Sequence, residues 1–187
     1  MTDNQLNWTN NALCHKIDEW LDNDEREIIF FLCQDVIPLC QASDDMKNTL
    51  ENILFLKNGD IFCLAELMFI IKRYDIIKRV LNLDINTVKS HIGNKIQITS
   101  PYRMLMVSIS EQLDSRDVKG LCFISKGTVY CGFGENVSFL KLVLKMEKHG
   151  ILQPPSGLEK LICMLASIHR LDLSKRVKDF RDSMVTE

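Results

Sequence analysis

The chain has no basic surplus. Its 23 Lys and Arg stand against 25 Asp and Glu, a net charge of −2. Nucleic-acid binders draw most of their affinity from neutralised phosphates, so the overall charge counts against that class. There is no C-x-x-C pair among seven scattered cysteines (Cys14, Cys33, Cys40, Cys63, Cys122, Cys131 and Cys163), and their number is odd. That excludes a paired disulfide framework and reads as reduced, intracellular thiols that pack as small hydrophobes. No apolar run approaches the ~18–20 residues of a membrane span. The stretch Met1 to Asn11 is polar, unlike a secretory leader. A soluble, cytoplasmic protein is expected.

What is present is helical periodicity, in a chain that is 46% apolar. Leu13, Ile17, Trp20 and Leu21 recur at helix spacing. Asp22 with Glu25 forms a capping signal before the run Ile28 to Cys33, and Asp114 with Asp117 repeats it before Val118, Leu121, Cys122 and Ile124. Met46, Leu50, Ile53 and Leu54 mark a helix that stops near Asn58-Gly59. Phe139, Leu142, Val143 and Met146 mark its counterpart, which stops near Gly150. Helices follow at Ile61 to Lys72 and Leu158 to His169, and last helices at Asp75 to Leu81 and Asp172 to Phe180. One further helix, Thr87 to Ile92, joins the halves.

The two halves repeat each other. Leu13, Ile17, Glu19, Leu21 and Asp22 match Leu105, Ile109, Glu111, Leu113 and Asp114 at one constant offset. Arg73-Tyr74-Asp75-Ile76 and Arg170-Leu171-Asp172-Leu173 each follow an apolar helical stretch. A period of about ninety residues is too long for a solenoid and reads as a duplicated small domain. The boundaries are 1–82, a linker at 83–100, 101–182 and a tail at 183–187. The linker has no Gly/Ser-rich tract, so the domains are expected to pack rigidly. Gly127 to Val137 reads as the least ordered stretch.

Signals for other chemistries fail on detail. Gly132-Phe133-Gly134 lacks the third glycine of a phosphate cradle, since Val137 stands there. No Gln-Ala-Cys-x-Gly protease string occurs; Cys40-Gln41-Ala42-Ser43 has the wrong order. His15, His91, His149 and His169 lack metal-ligand spacing, so no metal or cofactor is expected. Asn86 to Ile92 is similar to a LuxR-type recognition helix but has no helix-turn-helix scaffold before it. Lys72/Arg73 and Lys78/Arg79 read as a solvated basic face.

An acid opening the second helix and Arg-x-Asp-Leu opening the last resemble a death effector domain, present twice. The resemblance implies an all-α fold of two tandem six-helix bundles joined by a short helical linker. It also implies two surface charge triads, Glu25/Arg73/Asp75 and Asp117/Arg170/Asp172, and apolar contact pairs Phe31-Leu32 and Phe123-Ile124 for protein binding. Ile76 and Ile124 replace Leu, apolar for apolar. Aromatics on amphipathic helices are more often core than interface; at least one of the two Phe is expected to be exposed. Gly120 costs about 1 kcal/mol in helix propensity and is expected to flatten the contact surface.

The stretches Leu21 to Glu27, Phe31 to Val36, Ser100 to Met106 and Ile168 to Leu173 are similar to the FLICE-like inhibitory proteins (FLIPs), cellular or viral. A chain that stops soon after the second tetrad looks like the viral members. The implied function is non-catalytic: binding the adaptor FADD and initiator procaspases through homotypic contacts, and limiting procaspase activation. Some members also bind the regulatory subunit of the IκB kinase and raise NF-κB signalling. The alternative is the prodomain of a death-effector initiator procaspase.

Overall fold

The structure, a computed structural model, describes residues 3–37, 45–94, 98–127, 137–153 and 157–185. Every regular element among them is a helix, and the chain divides into two compact units, Met1–Arg103 and Met104–Glu187.

The first unit holds α1 (Asp3–Trp20), α2 (Asn23–Leu32) with a 3-10 turn (Cys33–Asp35), α3 (Met46–Leu56), α4 (Phe62–Ile70), α5 (Tyr74–Arg79) and α6 (Ile85–Asn94). The start of α2 is fixed by a reciprocal cap. Asp22 Oδ1 accepts the Glu25 amide at 2.8 Å, and Glu25 Oε2 accepts the Asp22 amide at 2.9 Å. Such a cap contributes about 1 kcal/mol. In α4 every residue from Cys63 to Met68 is buried. A helix apolar on nearly all sides belongs at the centre of its unit, and α3, α5 and α6 pack around it. The helix read as a joining element is thus a packed member of this unit: Val88 is buried, and His91 stacks on Phe62 with ring centroids 4.3 Å apart. Cys14, Cys33 and Cys63 are free and buried. Burial pushes the Cys14 and Cys63 thiols up to about 12 and raises Cys33 as well. These thiols stay protonated and pack as apolar groups.

The second unit follows α7 (Pro101–Ser110), which opens at the end of the first, with α8 (Ser115–Ser125), α9 (Phe139–Lys148), α10 (Leu158–Ser167) and α11 (Leu171–Val185). Its cap is weaker. Asp114 Oδ1 accepts the Asp117 amide at 2.8 Å, but the return bond from the Asp114 amide is 3.4 Å. Aspartate at this position is one methylene shorter than glutamate.

Gly120 does not flatten an outer surface. A Cβ there would sit 2.9 Å from Ile168 Cγ2, so the glycine lets α8 approach the end of α10. At Gly157 an added Cβ would lie 2.3 Å from the Gln153 backbone nitrogen, so the bare Cα is a steric requirement of that turn.

About six helices per half requires one more short helix in each. The stretches 38–44 and 128–136, where it would fall, lie outside the described residues, as do Cys40, Cys131 and Gly132-Phe133-Gly134. Among the described residues no helix is long and apolar enough to cross a membrane.

Candidate protein-interaction surfaces

Both Arg-x-Asp tetrads are built by the same turn. α4 and α10 each end on a residue in the left-handed region, Lys72 (φ 64°) and His169 (φ 65°). The next amide then reaches back to close the helix: Arg73 N to Met68 O at 2.8 Å, and Arg170 N to Leu165 O at 3.0 Å. This turn aims each arginine back at the start of α2 or α8.

Arg73 Nη1 donates to Glu25 Oε2 at 2.7 Å and to the Trp20 carbonyl at 2.7 Å. Its Nε and Nη2 grip both oxygens of Asp75 at 2.9 Å. Arg170 repeats the pattern, with Asp117 Oδ2 at 2.7 Å, the Gln112 carbonyl at 2.6 Å, and Asp172 at 3.1 and 2.9 Å. The structure therefore brings Glu25/Arg73/Asp75 and Asp117/Arg170/Asp172 together as two clusters. Each arginine also holds a carbonyl at the end of the preceding helical stretch, which the acids alone do not suggest. Bidentate pairing raises both guanidinium pKa values, chiefly through Asp75 and Asp172. The same bonds hold Asp75 and Asp172 below the usual carboxylate value.

The two apolar pairs part company. Phe31 and Leu32 are fully buried, so they form no surface in this conformation. The correction has a local cause. Arg103 lies over the Phe31 ring, 4.6 Å from its centroid, and is anchored to Asp35 Oδ1 at 3.0 Å. Phe123 and Ile124 are 71% and 40% exposed, with Lys126 Nζ 5.1 Å from the Phe123 ring centroid.

Other exposed apolar groups had not been singled out. Phe55 (84% exposed) and Leu56 end α3, beside a hollow of about 240 Å³ lined by Asn10, Asn11, Glu51 and Leu54 among others. Met46, Leu50, Ile53 and Leu54 take the core register there, which leaves Phe55 facing out; that spacing is visible in the sequence. Leu171 (66% exposed) and Tyr74 fill the middle of the tetrads, forced outward because Arg and Asp on either side grip each other.

Residues 102–183 match the death effector domain family. The chain shares the fold of a crystal structure of the viral FLIP MC159, with a TM-score of 0.77 at 24% identity, over 95% of this chain and 98% of that one. It is a tandem death effector domain protein.

Its relatives are FLICE-like inhibitory proteins. It is 34% identical over 172 residues to the mouse CASP8 and FADD-like apoptosis regulator, covering 90% of this chain and 35% of that protein. It therefore spans about a third of that relative's length. It is 28% identical over 173 residues to the viral FLICE protein of human herpesvirus 8 type P, covering 91% of this chain and 88% of the viral one.

Proposed function

We propose that this chain is a non-catalytic inhibitor of death-receptor apoptosis. It binds the adaptor FADD and initiator procaspases through death-effector contacts and limits procaspase activation. The observation that carries this reading is the exposed Phe123-Ile124 pair on α8, within a unit that belongs to the death effector domain family. An aromatic anchor with a cation on its ring suits a protein contact.

Death-effector assembly is heterologous and open-ended, so it propagates until a subunit fails to continue it. A chain that takes a position and supplies no protease separates the procaspases that would activate each other. Support comes from similarity to apoptosis regulators named for CASP8 and FADD.

The test is co-precipitation of the purified chain with FADD, using wild type and Phe123→Ser. Capture by wild type and loss in the variant are expected; no capture of the wild type refutes the reading. Expression in cells challenged through a death receptor should protect them, and sensitisation would reverse the assignment.

A further inference from the structure

The two units carry the same aromatic in different states, and the difference traces to one short segment. Ile98 to Arg103 runs across α2 and α4 of the first unit. Glu66, buried in α4, accepts on one oxygen the amides of Ile98 (3.1 Å) and Thr99 (3.0 Å) and the Thr99 hydroxyl (3.0 Å). Asp35 accepts the Ser100 hydroxyl at 2.6 Å and Arg103 Nε at 3.0 Å. Arg103 then closes over Phe31. Apolar contact alone does not require two carboxylates at such a seam. Here they hold a segment by its backbone amides and its one cation.

We propose that Ile98–Arg103 is a strap closing, in cis, a second contact face on α2 and α4. When the strap lifts, the occupant of that face is the α8 face of a second copy of this chain. The chemistry of the two faces is complementary. With the strap away, the first unit presents Phe31 between the carboxylates of Asp35 and Glu66. The α8 face presents Phe123 and Ile124 with exposed Lys119 and Lys126 on the same helix. Lys126 takes the place of Arg103, a cation over an aromatic ring and against Asp35.

Two different faces meeting make a heterologous contact, which extends from copy to copy. A strap that stays shut leaves the α8 face without this mate, so the closed chain does not extend in this way. The inference rests on the reading of α8 as a contact face.

Arg103→Ala removes the ring cover and the Asp35 partner together. Exchange of the Ile98 and Thr99 amides should speed up about tenfold or more. Light scattering should show a mass that climbs with concentration beyond wild type, and less so in high salt. Adding Phe123→Ser or Lys126→Glu should abolish that growth. Both lie on exposed positions, so loss of folding does not mimic the result.

Faster amide exchange with a mass like that of wild type overturns the proposal. So does association that survives Phe123→Ser. If Arg103→Ala leaves exchange unchanged, Glu66→Gln is added; unchanged exchange in the double variant overturns the strap itself. FADD capture reads the proposed function separately. Capture by wild type without chaining of Arg103→Ala sinks the strap alone. Chaining without capture sinks the inhibitor reading alone.

Discussion

Replacing Arg73 by alanine removes a clamp, and the cost follows from its separate arms. The arm to Asp75 is a bidentate pair whose carboxylate is well hydrated; exposed pairs of this kind contribute about 0–1 kcal/mol. The arm to Glu25 and the Trp20 carbonyl is more sheltered, with both side chains roughly four-fifths buried (21% and 18% exposed). Charge-assisted hydrogen bonds there are worth about 1.5–3 kcal/mol, and the variant strands the carbonyl that Nη1 held. Glu25 keeps its bond from the Asp22 amide, which limits the loss. Arg73→Ala should therefore destabilise by about 2–3 kcal/mol, and lower the thermal midpoint by about 4–12 °C. Arg73→Lys keeps the charge but loses the planar fork, and should recover about half of this or less.

The assay is urea unfolding followed by helical circular dichroism, at neutral pH and in acid. Asp75 is held below its ordinary value of 3.8, first by its Arg73 hydrogen bonds. A depressed carboxylate contributes stability that is fully present above the unfolded value and lost as pH falls through the folded one. The gap between wild type and Arg73→Ala should thus be full above about pH 5 and shrink below 3.8. A variant within about 0.5 kcal/mol of wild type at neutral pH refutes the clamp. A gap that does not narrow in acid refutes the part assigned to Asp75.

The paired aromatics should separate in stability. Phe31→Ala is expected to cost about 3–5 kcal/mol and Phe123→Ala to stay within about 0.5 kcal/mol, because one ring is buried and the other exposed; equal effects by urea unfolding would contradict the assigned burial. His169 pays a conformational penalty at φ 65° on an exposed turn. His169→Gly should therefore stabilise by about 0.5–1 kcal/mol in the same measurement, and a loss would show that its side chain supports the turn.

The locally encoded features were legible. Both caps, the stops at Asn58-Gly59 and Gly150, and the helices around them depend on residues a few positions apart, and the structure holds them as the spacing implies. The left-handed turns before Arg73 and Arg170 were not read, because Lys72 and His169 are not residues that advertise that conformation. Gly120 was assigned to the wrong side of its helix, since its partner Ile168 belongs to α10 and no pattern within α8 names it. Glu66 looked like an interruption in an apolar helix. Its function as an acceptor becomes visible only once Ile98 and Thr99 are brought beside it.

The same limit explains why the two copies diverge at their faces and not at their triads. A triad is closed by residues within one unit, at matching positions in both halves, so duplication carries it over intact. A face depends on what lies across it. Phe31 and Phe123 occupy matching places on matching helices, yet Arg103 covers the first, while Lys126 only flanks the exposed second. Asp35, which anchors Arg103, has Gly127 at the matching place in the second half. Exposed Cys163 likewise stands at the place in α10 that Glu66 takes in α4. The second unit therefore lacks both carboxylates that hold a strap, and its aromatic remains open. Duplication has preserved the scaffold, while a few side-chain changes decide which copy is available for contact.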